Sequence, residues 1–298
     1  MKKSTIFQII RAGVSLSLIL LLLYIMRGKY AQIIESITRA NLPLLIASLT
    51  VFLAAITLAS LRLMLIIAAQ GTPVTFIDSI SLTFIGYFFN NFLPTAIGGD
   101  FVKGYYLSKR TGDRTGSYTA IFVDRAIGLF TMIFMAFIAL LFAESGVIDK
   151  PLRNLIYIIT AISAAFIFFM AHRSFARRFS FLLFLVRPIE EKLRNIYTAV
   201  NKYRHHKILM IQSLFISIIS QLLYFVSLGI VAMSIGSFIS ISDVLLRMPI
   251  VSAISLLPSI NGLGVREGSM VLLFGPIIGK TSAFAVSIVM LALLFAVS

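Results

Sequence analysis

Seven charged side chains stand inside otherwise apolar sequence: Arg62, Asp78, Asp124, Arg125, Arg247, Arg266 and Glu267. A charge at the centre of a lipid-facing helix costs about 2.5–3.5 kcal/mol. These groups are therefore expected to face the protein interior, a wet cavity or the membrane interface. Two uses are open for them. One is ion pairing between helices, with Asp124 bound to Arg266 or Arg62 and Glu267 bound to Arg125. The other is a cavity in which arginines hold an anion. A purely structural bundle needs few such pairs, which weighs against pairing as the whole explanation.

The charges gather at two interruptions of similar design. Leu93-Pro94-Thr95-Ala96-Ile97-Gly98 and Leu257-Pro258-Ser259-Ile260-Asn261-Gly262 share one pattern, 164 residues apart. Gly99, Asp100 and Lys103 follow the first, and Gly264, Arg266 and Glu267 follow the second. Proline removes a backbone donor and glycine permits conformations that end a helix. Matched Pro/Gly-interrupted segments point to a transporter's binding site, because non-helical backbone at membrane depth survives only when buried or lining a cavity. An internal repeat is expected, its direction, parallel or inverted, left open. Helix N-termini at Gly98–Asp100 and Gly262–Gly264, beside the Arg125 and Arg266 guanidinium forks, suit a phosphate headgroup. Asp100 has a second reading, as the cap of a helix starting at Phe101.

Other chemistry finds little footing. His172, His205 and His206 lie in a basic polar segment rather than beside carboxylates, so no metal site is expected. There is no Walker A loop and no serine nucleophile elbow, so neither a catalytic residue nor a cofactor is assigned. With no cysteine in the chain, disulfides and thiolate chemistry are excluded.

The elements that must position these residues are membrane helices. Of 298 residues, 59% are apolar and only 12% charged, against roughly a quarter charged in soluble domains. The apolar residues come in long runs, so the chain reads as an all-α polytopic membrane protein with about eight membrane segments, two of them Pro/Gly-broken or re-entrant. Expected runs are Ile6–Met26, Leu42–Ala69, Phe76–Leu93, Thr119–Ala143, Leu155–Ala171, Ile208–Ile235, Val244–Leu257, Ser269–Ile278 and Ser282–Val297. No small-residue cleavage site follows the first, which reads as an uncleaved span.

The whole chain, 1–298, forms one membrane domain. Its largest polar segment, 172–207, holds an amphipathic helix with Ile189, Leu193, Ile196, Val200 and Tyr203 on one face. The net charge of +15 means basic cytoplasmic loops facing anionic lipid rather than nucleic acid. Models with the N-terminus inside or outside both place 16 Lys or Arg inside and five outside. Arg62, near the cytoplasmic end of its helix in the first model, favours a cytoplasmic N-terminus.

The run Asn91-Phe92-Leu93-Pro94-Thr95-Ala96-Ile97-Gly98-Gly99-Asp100-Phe101-Val102-Lys103, then Asp124-Arg125, then Pro258 and Gly262-Leu263-Gly264-Val265-Arg266-Glu267, resembles the lysylphosphatidylglycerol synthase transmembrane-region family. The resemblance covers nearly the whole chain and implies movement, or assisted synthesis, of an amphiphilic lipid in the inner membrane. The soluble aminoacyl-transferase domain of that family's full synthases is not expected. Lys103 stands where arginine is common in that family, and Asn261 where glycine is usual. The expected ligands are membrane lipids with anionic phosphate headgroups: aminoacyl-phosphatidylglycerol, a glycolipid or a polyprenyl-phosphate-linked lipid. The site residues then expected are Asn91, Pro94, Gly98, Gly99, Asp100, Lys103, Asp124, Arg125, Pro258, Gly262, Gly264, Arg266 and Glu267. Two alternatives belong to other classes: a membrane-embedded transferase or accessory subunit using Asp100 and Glu267, and a scaffold docking cytoplasmic lipid- or glycan-synthesis enzymes through 172–207.

Overall fold

A computed structural model describes residues 13, 16–17, 20–22, 24–93, 98–142, 150–171, 202–255 and 262–298. Its elements are helical: α1 (Tyr30–Thr38), α2 (Leu42–Ala68), α3 (Phe76–Phe92), α4 (Gly98–Thr111), α5 (Arg114–Leu141), α6 (Lys150–Ala171), a 3-10 turn (Tyr203–His205), α7 (Lys207–Ser234), α8 (Ile241–Ile254), α9 (Val265–Ile278) and α10 (Lys280–Val297). Among the described residues, α2, α5, α7 and α10 are long and apolar enough to cross a membrane. The short amphipathic α1 was not foreseen. Pro94, Pro258, Asn261 and the amphipathic helix expected over 189–203 lie outside the described residues, except that Tyr203 opens the 3-10 turn and is buried.

Local chemistry sets the helix starts. The Asn41 side chain accepts the Leu44 N–H at 3.2 Å, with Pro43 in the first turn of α2. Thr75 and Asp78 form a reciprocal capping box at the start of α3, and Ser240 accepts the Asp243 N–H at the start of α8. Asp113 caps α5 through the Gly116 N–H at 2.8 Å. That helix therefore starts at Arg114, five residues before the apolar run that announced it. In the same way α9 starts at Val265 rather than Ser269, because Gly264 adopts φ +80° and ends the preceding turn. Asp100 is not a cap: α4 begins at Gly98, and Asp100 sits in its first turn, where a carboxylate favours the positive end of the helix dipole.

The burial pattern is that of a protein dissolved in lipid. Ser48, Ser60, Ser79, Ser213, Ser217 and Ser227 are 0% exposed, while Ile77 and Ile208 are each 74% exposed. The centre is the pair α2 and α7, packed along their lengths. Ser48 and Ser227 donate to each other's carbonyls at 3.0 and 3.1 Å, and the Ser220 hydroxyl donates to the Ala55 carbonyl at 2.8 Å. Lipid tails are as apolar as leucine, so membrane helices associate through small residues and such hydroxyl bonds. The helix pairs α3–α4 and α8–α9 pack beside this centre, with α5 against α8 and α10 against α9.

Candidate functional site

The site is built where α3 and α4 approach most closely. A Cβ added to Gly99 would stand 2.0 Å from the Gly86 carbonyl oxygen, so only glycine lets these backbones meet. The approach aligns the Asn90 amide oxygen to accept the Gly99 N–H at 2.8 Å. Lys103, one turn further along α4, lays its side chain across Gly86, where a Cβ would fall 2.0 Å from Lys103 Cε. A Cβ added to Gly104 would stand 2.6 Å from the Tyr118 ring of α5, so α4 is held between α3 and α5.

Asp100, Lys103 and Arg125 form one cluster at this junction. Arg125 Nη1 lies 3.1 Å from Asp100 Oδ2, and Lys103 Nζ lies 3.8 Å from Asp100 Oδ1. One carboxylate is thus shared by two cations. At the residue before Arg125, Asp124 Oδ1 accepts from Arg62 Nε of α2 at 2.7 Å, and Arg62 Nη1 donates to Ser217 at 2.8 Å. Gly128 makes room for that guanidinium: its added Cβ would lie 3.3 Å from Arg62 Nη1. Arg266 comes from the opposite side, at the start of α9. Its Nη2 donates to Glu267 Oε1 at 2.8 Å, while Glu267 Oε2 accepts the Gly264 N–H at 2.6 Å.

These groups surround a cavity of about 370 Å³, near the lower end of the 300–1,000 Å³ usual for ligand pockets. Its charged wall is Arg62, Asp100, Lys103, Asp124, Arg125 and Arg266, four cations against two carboxylates, a net +2. Tyr87, Asn90, Gln221 and Ser252 add polar groups, and Phe52, Leu129, Met248 and Val251 supply an apolar side. A second, small pocket of about 20 Å³ borders Arg266, Met270, Met290 and Leu294. Such a cavity offers guanidinium forks to an anion and an apolar flank to whatever the anion is attached to.

Five of the residues expected at a site, Asp100, Lys103, Asp124, Arg125 and Arg266, share this cavity. Gly98, Gly99, Gly262, Gly264 and Glu267 stand behind its wall, among residues that do not line it. Asn91 donates to Ser298 at 2.7 Å, and its neighbour Asn90 borders the cavity instead. The Asp124–Arg62 pair agrees with one of the two pairings expected for Asp124. The expected Glu267–Arg125 pair does not form. Glu267, in the first turn of α9, folds back on its own helix N-terminus, and Arg125 faces Asp100 across the α4–α5 contact. The phosphate donors expected from backbone also need correcting: the Gly99 and Gly264 N–H groups are occupied by Asn90 and Glu267. Outside the cavity, Arg247 pairs with Asp243, and Asp78 with Arg110 at 2.6 Å. Tyr87 and Asn90 were missed because each sits in an aromatic, apolar run with no charge beside it.

Against known proteins, the family described as Lysylphosphatidylglycerol synthase TM region matches residues 8–298. No curated protein and no solved structure matches the chain.

Proposed function

The chain belongs to the lysylphosphatidylglycerol synthase TM region family, and from that premise we propose that this multi-pass membrane protein is a lipid translocase that carries a phosphate headgroup through the charged cavity. The observation that supports it is the net +2 wall, in which Asp100 is outnumbered by Arg125 and Lys103. A phosphodiester joins this cluster: Arg125 and Arg266, each beside one carboxylate, hold its oxygens, and Lys103 adds a point charge. Arg62 and Asp124 shape the wall and stay paired. The 370 Å³ volume accommodates a headgroup while the acyl chains remain in the bilayer, passing along the apolar flank. Aminoacyl-phosphatidylglycerol, a glycolipid and a polyprenyl-phosphate-linked lipid all present this anion. In the same proposal the chain enters the inner membrane about eight times, with a cytoplasmic N-terminus, and α3–α4 and α8–α9 are its two broken hairpins.

Headgroup scrambling of a labelled anionic phospholipid in proteoliposomes tests this assignment. The Arg125→Ala, Arg266→Ala double variant should lose most of the movement; equal rates for it and the wild type would overturn the assignment. A transferase acting through Asp100 and Glu267 has less support, because Glu267 is bonded to Gly264 and Arg266 and does not line the cavity.

A further inference from the structure

The resemblance between the two interrupted segments extends over most of the described chain, at spacings of 164 to 167 residues. Helix α2, Leu42–Ala68, is followed after 165 residues by α7, Lys207–Ser234. Gly71 and Gly236, both with positive φ (86° and 77°), are 165 apart and end these helices. The caps Thr75 and Ser240, and the first-turn acids Asp78 and Asp243, are again 165 apart. Next come α3 and α8, a proline-containing break, and α4 and α9, each of 14 residues. Gly112 and Gly279, both with positive φ, then lead into α5 and α10.

The two copies run in opposite directions. Helix α2 lies antiparallel to α7, because the partners of rising positions on α2 fall along α7: Asn41 with Ser234, Ser48 with Ser227, Ala55 with Ser220. At the other end, Ala69 after α2 shares a core with Tyr203 before α7. Ala55 and Ser220 are themselves 165 apart, so the equivalent positions of the two copies touch. That is the contact a two-fold axis produces where it passes between matching helices. Each helix, at 1.5 Å per residue, is about 40 Å long, more than the roughly 30 Å hydrocarbon core. The Gly71 and Gly236 turns therefore lie on opposite faces of a membrane.

We infer that residues 42–141 and 207–298 form an inverted repeat whose two helical hairpins enter the membrane from opposite faces and meet at the charged cavity, so that the cavity is served from both leaflets. The hairpin from one face brings Asp100 and Lys103, and the hairpin from the other brings Arg266 and Ser252. Inverted repeats of this kind place a site near the midplane, where rocking of one half against the other exposes it to either side. The transport consequence rests on the proposed lipid translocation; the topology does not.

The chain has no cysteine, so single cysteines report cleanly. Pro73→Cys and Phe238→Cys mark matched, exposed positions of the two turns. A membrane-impermeant maleimide should label one in right-side-out vesicles and the other in inside-out vesicles. Labelling of both from the same face would overturn the inverted repeat. Ala59→Cys, on the cavity wall, should react with a small charged thiol reagent from both faces; reaction from one face alone would overturn two-sided access. Neither readout involves lipid movement, so a failure here is distinct from a failure of the scrambling assay.

Discussion

Arg62 on α2 and Asp124 on α5 are joined by a 2.7 Å bond, with both side chains nearly buried (9% and 13% exposed). Removing one partner leaves the other charge stranded, which typically costs about 3–5 kcal/mol. Arg62→Met should lower the thermal unfolding temperature in detergent markedly. The Arg62→Met, Asp124→Leu double variant should recover much of that loss, because no unpaired charge remains. A double variant less stable than either single one would refute the pairing.

Gly86 and Gly99 lie on facing helices but should respond differently to alanine. At Gly99 the added methyl meets the Gly86 carbonyl oxygen at 2.0 Å, and backbone must move. Gly99→Ala should destabilise by about 1–3 kcal/mol. At Gly86 the three atoms nearest the methyl all belong to the Lys103 side chain, which can swing away. Gly86→Ala should keep its unfolding temperature yet reduce lipid movement by displacing the Lys103 ammonium. In a Lys103→Met background, Gly86→Ala should have no further effect on transport.

Asp100 offers a test of the charge argument with a gain as its outcome. Asp100→Asn raises the cavity from +2 to +3 and frees Arg125 from its carboxylate. A hydrogen bond to a charged group contributes about 1.5–3 kcal/mol. Binding of a short-chain phosphatidic acid should therefore tighten roughly tenfold, as read by calorimetry. Arg125→Gln should weaken it by a similar factor. Unchanged binding in both variants would remove the anion from the cavity.

The Ser48–Ser227 exchange of hydroxyl bonds is a measurable part of the α2–α7 seam. In membrane bundles such bonds average about 0.6 kcal/mol and reach about 1.7. Ser48→Ala and Ser227→Ala should each destabilise within that range, and the double variant should lose less than the sum. Additive losses would show that the two hydroxyls do not act as a unit.

Much of this architecture could be read from residue order. Long apolar runs announced α2, α5, α7 and α10, because a helix that crosses lipid must be apolar over its length. The two Pro-to-Gly interruptions fall between α3 and α4 and between α8 and α9, and of the charges beside them Asp100, Lys103 and Arg266 line the cavity. What escaped was set by contacts over long sequence separations. Glu267 prefers its own helix N-terminus to Arg125, a choice fixed by how α9 begins. Asn90 rather than Asn91 borders the cavity, since one residue of helix turns a side chain by about 100°. The proposed repeat is suggested by six residues around each proline, but its direction is not. Direction is a property of how α2 and α7 pack, through serines that look unremarkable in a helical run.

Of the six charges around the cavity, five are carried by the first copy and one, Arg266, by the second. Around the positions matched to Asp124 and Arg125, the second copy has buried Val289 and Met290. In the proposed repeat the labour is therefore divided: one half carries the ionic burden, and the other acts as a counterweight that preserves shape. A half freed from ionic duty tolerates sequence drift as long as its volume is kept, so new specificities can be written into one copy without rebuilding the other.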